Sequence, residues 1–198
     1  MAENIKPYQD SELGKKEQVA QMFDTISGNY DGLNRVISFG IDAKWKQKIL
    51  KMVTAKQPKA ILDIATGTGD LAILFASTSA KEIIGLDISE GMLDIGKKKI
   101  EAQKLDSKIQ MVLGDGEKIP YSDNYFDVIT VAYGVRNFEN LEKGLSEILR
   151  TLQPGGQLII LETSVPTKFP FKQIYAFHSK IILPLVGKLF SKDQSAYQ

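Results

Sequence analysis

Ala60-Ile61-Leu62-Asp63-Ile64-Ala65-Thr66-Gly67-Thr68-Gly69-Asp70 begins as an apolar run carrying one carboxylate and breaks into a turn with glycine at 67 and 69. The run reads as a buried strand, and the turn as its handover to a helix. Helix starts carry unpaired N–H donors and a partial positive charge, so a glycine turn there lets the backbone face a carboxylate, a phosphate or sugar hydroxyls. Alone, the turn implies a nucleotide-like cofactor and leaves its identity open. Gly67-Thr68-Gly69-Asp70-Leu71-Ala72 also satisfies a loose dinucleotide-binding pattern.

On either side of this stretch, strands are expected at Glu82–Leu86, Ile109–Leu113, Phe126–Ala132 and Gln157–Leu161. Helices fill most gaps: one after Gly69, one over Ser89–Gln103 and one over Asn140–Leu152, stopped by Pro154-Gly155-Gly156. The alternation predicts an α/β fold with a parallel sheet covered by helices on both faces, whose ligands bind beyond the carboxyl ends of the strands. Upstream, Val19, Met22, Phe23 and Ile26 recur at helical spacing. A second helix is expected after Asp42, with Asp42 as its cap and Ile41, Trp45, Ile49, Met52 and Val53 as its buried stripe. The turn-rich stretch between them, Gly28–Gly40, reads as a lid or cap rather than a passive linker. A last helix is expected over Phe169–Phe190, bent at Pro184.

The chain of 198 residues has ordinary globular composition, with 43% hydrophobic and 25% charged residues, so one domain is expected over 1–198. Within it, 1–56 form an N-terminal helical cap, 57–165 a cofactor-binding core and 166–198 a substrate-side helix. A net charge of +1 gives no reason to expect nucleic acid, and Lys97, Lys98 and Lys99 read as a solvated helix face. No cysteine is present, which excludes disulfides and thiolate-ligated metal; no metal site is expected, and a reducing cytoplasm suits the chain. The start lacks the apolar core of a signal peptide, and the late apolar run around Ile181–Phe190 is too short to span a bilayer.

Further acids and glycines follow the next two strands. Asp87 closes IIGLD, where a carboxylate can accept from both ribose hydroxyls or instead cap the next helix. Asp115 follows the third strand beside Gly116; it can accept from an exocyclic adenine amine, or belong to an ordinary loop. The three turns converge at one edge of a parallel sheet, and that convergence is more specific than any one of them. Asp63, Ala65, Gly67 and Gly69 look like the D-x-G-x-G-x-G loop of class I S-adenosylmethionine methyltransferases, with alanine at the first glycine. PYSDNYFDVITVAYG and LRTLQPGGQLII also look like motifs of that class.

VAQMFDTISGNYDGLNRVISFGIDAKWK, YGVRNFEN and LETSVPTKFPFKQIY narrow the likeness. They are similar to segments of the ubiquinone/menaquinone biosynthesis C-methyltransferases, and the likeness runs from Val19 to the last residue. The resemblance implies a Rossmann-like class I fold that transfers a methyl group from S-adenosylmethionine to a ring carbon of a prenylated demethylnaphthoquinol. The products would be menaquinol and S-adenosylhomocysteine; a benzoquinol of the ubiquinone pathway is the alternative acceptor. It puts cofactor residues at Thr68, Asp87, Asp115 and Gly116, to which the turn itself adds Gly67, Gly69 and Asp63. Arg136 is expected to hold developing charge on a ring oxygen, with Asn137 orienting it, unless it is an exposed loop arginine or part of a salt bridge. Glu162 either accepts a hydroxyl proton or caps a turn. His178, Tyr133 and Tyr175 read as a lone histidine beside an apolar stripe and as pocket walls.

A prenylated acceptor implies peripheral contact with the inner face of the membrane. Family members continue with edge strands, so the expectation is a sheet whose C-terminal edge is missing, the chain being shortened or completed by homo-oligomerisation. Two other classes stay open here: a methyltransferase-like scaffold subunit with little turnover, and a nicotinamide-dependent reductase.

Overall fold

The computed structural model describes residues 7, 8, 11–32, 40–164, 167–170, 172 and 173. Strands form where the apolar runs lie: β1 (Ala60–Ile64), β2 (Glu82–Asp87), β3 (Ile109–Leu113), β4 (Phe126–Ala132) and β5 (Leu152–Leu161). They make one five-stranded sheet in the order β3-β2-β1-β4-β5, with every neighbouring pair parallel. Alternation along each strand sends side chains to two cores. Ile61, Ile83, Ile109, Val128 and Ile159 pack with Ile49, Val53, Leu71, Phe75 and Ile100 on one face. Leu62, Ile64, Ile84, Leu86, Ile129 and Val131 pack with Ile119 and Ile148 on the other.

The helices are α1 (Lys15–Ile26), α2 (Ile41–Lys56), α3 (Asp70–Phe75), α4 (Glu90–Ala102) and α5 (Leu141–Thr151). Ser89 caps α4 by accepting from the N–H of Met92, and Asn140 caps α5 through the N–H of Lys143. Two expectations change. β5 begins at Leu152, because Leu152 pairs with Phe126 and the register then shifts between Phe126 and Val128, so Pro154-Gly155-Gly156 lie in a bulge. Helix α2 begins at Ile41 behind Gly40, whose φ of 74° turns the chain without a side-chain cap. Asp42 sits inside the first turn, 3.4 Å from the ammonium of Lys46. Only Ile49 and Val53 of its stripe are buried, while Ile41, Trp45 and Met52 remain 44%, 39% and 40% exposed. At about 100° per residue these three fall on a face turned away from Val53, which the sheet cannot cover. Most of the predicted final helix, with Tyr175, His178 and Pro184, lies outside the described residues, as does most of the predicted lid.

Candidate functional site

Chain connections run from β1 outward to β3 on one side and to β4 and β5 on the other, so the strand order reverses between β1 and β4. Parallel sheets open a crevice at such a point, at the carboxyl ends of the strands. Here a cleft lies there, lined among others by Gly67, Asp87, Asp115, Gly116, Tyr133 and Asn137.

The turn after β1 repeats a left-handed conformation at alternate residues, with φ of 53° at Ala65, 57° at Gly67 and 79° at Gly69. A side chain resists that conformation, so Ala65 costs roughly 1–2 kcal/mol that glycine would not. Its methyl is accommodated because residue 134 is also glycine; a Cβ there would stand 2.5 Å from that of Ala65. Gly67 is open on the cleft side, where an added Cβ would meet only the Tyr30 ring at 3.8 Å. Its N–H donates to Asp87 Oδ2 at 2.7 Å, and the N–H of Gly69 to the Thr66 carbonyl at 3.0 Å. Two of the donors expected to face a ligand are therefore used within the fold. What the turn presents to the cleft is the bare Cα of Gly67 and the carboxylate it positions.

Asp87 is 8% exposed and also accepts the N–H of Ser89 at 2.9 Å. Burial pushes its carboxyl above the usual range, against the pull of those hydrogen bonds. Ser89, not Asp87, is the cap of α4. Asp115 accepts the N–H of Glu117 at 2.8 Å with one oxygen and faces the Lys16 ammonium at 3.0 Å with the other. That carboxylate holds the Lys16 ammonium above its ordinary value. Gly116 is tightly packed: a Cβ would lie 3.0 Å from Ile64 and 3.1 Å from the Phe138 ring, so those side chains would have to give.

Other expected site residues stand off the cleft. Asp63 shares its face of β1 with Ile61 and is bonded by the hydroxyls of Thr130 at 2.5 Å and Thr66 at 2.7 Å. Burial raises its carboxyl to about 6, opposed by those two hydroxyls. The hydroxyl of Thr68 donates to Asp31 at 2.6 Å and accepts from Lys99 at 2.8 Å. Gly69 packs against Met111. Arg136 lies at the rim, paired with Glu162 Oε1, with its guanidinium 6.0 Å from the Tyr133 ring centre. Glu162 Oε2 is buried and finds no hydrogen-bond partner among the described residues. Burial, with the charges of Asp42 and Glu162, pushes the Tyr133 phenol up to about 12, so it faces the cleft as a neutral hydroxyl.

Helix α1 straps these loops together through residues whose spacing carries no signal. The Lys15 ammonium donates to the carbonyls of Arg136 at 3.0 Å and Phe138 at 2.8 Å. Asp24 accepts from the Ser89 hydroxyl at 2.6 Å and the N–H of Gly91 at 3.0 Å. Glu117, 7% exposed, accepts the N–H groups of Glu139 and Asn140, tying the loop after β3 to the loop after β4. Lys99 departs from the expected solvated face: it pairs with Asp31 at 2.5 Å and Asp70 at 2.9 Å, closing α4 onto the segment beyond α1.

A model of the ubiE/COQ5 methyltransferase family matches residues 11–198. The chain is 49% identical to a demethylmenaquinone methyltransferase of Bacteroides fragilis, over 98% of this chain and 80% of that protein. It is 44% identical to a ubiquinone/menaquinone biosynthesis C-methyltransferase of Geotalea daltonii, over 93% of this chain and 79% of the relative. Among solved structures it resembles a Methanococcus maripaludis protein assigned as an S-adenosyl-L-methionine-dependent methyltransferase. That likeness has a TM-score of 0.61 and 28% identity, over 77% of this chain and 66% of the other. Among the described residues no helix is long and apolar enough to cross a membrane.

Proposed function

The chain belongs to the ubiE/COQ5 methyltransferase family, and from that membership we propose that it methylates a ring carbon of a prenylated demethylmenaquinol, using S-adenosylmethionine. The observation that carries the reading is the convergence of Gly67, Asp87 and Asp115 on one cleft where the strand order reverses. The residues present fit the cofactor. Gly67 leaves the space a side chain would fill, Asp87 and Asp115 supply acceptors for hydroxyls and an amine, and Ile88 and Met92 add apolar wall. Asp87 accepts backbone N–H groups of Gly67, Ser89 and Ile88, and a carboxylate has about four lone-pair sites, so acceptor capacity remains for a ribose hydroxyl.

When bound, the cofactor supplies an electrophilic sulfonium methyl. The protein's task is then to make a ring carbon nucleophilic and to hold it in line. A quinol becomes nucleophilic when a hydroxyl gives up its proton and its electron density moves into the ring. Glu162 Oε2, an acceptor with no partner among the described residues, is suited to take that proton once the pair with Arg136 opens toward the cleft. Arg136, paired to the same carboxylate, is suited to hold the charge left on oxygen, with Asn137 orienting it from the cleft wall. Tyr133, which lines the cleft and keeps its phenol proton, is suited to be a second donor to that oxygen.

Titration calorimetry with S-adenosylhomocysteine and with NADH, followed by a methyl-transfer assay on short-chain demethylmenaquinol and a matched benzoquinol, tests the reading. S-adenosylhomocysteine binding with naphthoquinol methylation is expected. NADH binding alone would overturn the methyltransferase chemistry; faster methylation of the benzoquinol would move the acceptor to the ubiquinone pathway. Binding without turnover of either would favour a scaffold role.

A further inference from the structure

Helix α2 carries five lysines, at 44, 46, 48, 51 and 56, and one acid, Asp42, in a chain whose overall charge is only +1. Lys46 is taken up by Asp70 at 2.7 Å and Asp42 at 3.4 Å, and Lys56 donates to the Gly155 carbonyl at 2.6 Å. Lys44, Lys48 and Lys51 are exposed, and no residue among those described pairs with them. On a helical wheel Ile41, Trp45 and Met52 fall within about 40° of one another, and the three free lysines line one flank of that strip. All three apolar side chains are exposed to about the same degree, at 44%, 39% and 40%.

A tryptophan and aliphatic strip bordered by unpaired lysines has the build of a helix lying in a membrane interface: the apolar side chains enter the headgroup boundary while the ammonium groups meet anionic phosphates. A protein partner would need its own apolar face and acids at matching positions, and nothing in the cluster calls for such shape. The first turns of α2 also lie beside the turn that follows β1 at the cleft, since the Lys46 ammonium pairs with Asp70 at 2.7 Å. We infer that the Ile41–Trp45–Met52 face of α2, with Lys44, Lys48 and Lys51, docks the protein on an anionic lipid surface and brings the cleft to it. The inference deepens the reading of a membrane-borne acceptor, yet its test needs neither cofactor nor acceptor.

Trp45 is the only tryptophan in the chain, so its fluorescence reports this face alone. Phosphatidylcholine vesicles containing phosphatidylglycerol should shift its emission to the blue and co-sediment the protein; vesicles of phosphatidylcholine alone should do so far less. Raising the salt should reverse the effect. The triple variant K44E/K48E/K51E should bind the anionic vesicles at least about tenfold more weakly, with S-adenosylhomocysteine affinity unchanged. Unshifted emission on anionic vesicles, or equal binding by the triple variant, would overturn the inference. A blue shift that grows with protein concentration in the absence of lipid, with a heavier species in sedimentation, would assign the face to a second copy of the chain and overturn it equally. Loss of vesicle binding by a protein that still methylates a short-chain quinol would leave the proposed reaction standing.

Discussion

At the ends of β2 and β3, Asp87 and Asp115 each accept backbone N–H groups inside the cleft, whereas at the ends of β4 and β5 Arg136 and Glu162 hold one another at its rim. Backbone donors cannot swing away, so the first half is fixed before anything binds. A side-chain pair, of which Arg136 is half exposed, can rearrange when a partner arrives. Preorganised acceptors suit the recognition of an invariant cofactor, and an adjustable charged pair suits a group whose charge changes during reaction. The division predicts that binding and turnover separate by mutation.

The largest expected effect lies in the rim half. Arg136→Ala should lower kcat roughly 10²–10³-fold, about 2.7–4 kcal/mol, the scale of removing one donor to developing charge. Calorimetry should show S-adenosylhomocysteine affinity unchanged; a matching loss of affinity would erase the distinction between the halves.

Asp63 tests the support behind the fixed half. Its folded carboxyl is raised from 3.8 to about 6, so the folded state holds the proton more tightly than the unfolded chain. Its ionisation therefore takes nothing from stability below the unfolded value, and stability falls as pH rises from about 4 to about 6, by about 3 kcal/mol, with no further change above. Asp63→Asn should remove that contribution, visible as a flatter pH dependence in urea unfolding. An unchanged slope would place the proton elsewhere.

Asp87→Ala reverses the pattern expected of Arg136. Loss of hydrogen bonds to a charged acceptor should weaken S-adenosylhomocysteine binding by about 1.5–3 kcal/mol, roughly 10- to 150-fold. Full affinity in a folded variant would show that the cleft uses other acceptors.

Lys16→Ala is the smallest. Its side chain is 41% exposed, so its pair with Asp115 should contribute less than about 1 kcal/mol to stability. A larger loss in thermal unfolding would mean that α1 braces the fixed half as firmly as the backbone does.

Residues 152–156 of β5 were not legible in the sequence as strand, because the pairing of Leu152 with Phe126 rests on a bulge. The positions of β1 to β4 and the second half of β5 were legible because a buried parallel strand needs a short apolar run ended by turn residues, a requirement met locally. The glycines at 67 and 69 were legible for the same reason: their φ values admit few other residues. Two features of α2 were not. Its apolar residues cover a wider arc than the sheet does, so periodicity alone could not say that Trp45 stays outside. Gly40, in the left-handed region, starts the helix in place of a capping side chain.

The sequence by itself determined where β1 to β4, the second half of β5 and the helices between them would fall, and that acids would stand at or near the ends of β1, β2 and β3. Those are consequences of short-range sterics and of hydrophobic spacing. Only the tertiary structure decided that Asp87 enters the cleft while Asp63 turns to Thr66 and Thr130. It also decided that Lys15, Lys16 and Asp24 of α1 hold the loops around the cleft. Those partners lie far apart in the chain, Lys15 and Phe138 by 123 positions, and a hydrogen bond acts over a few ångströms of space. No local pattern records which distant group will come within that reach.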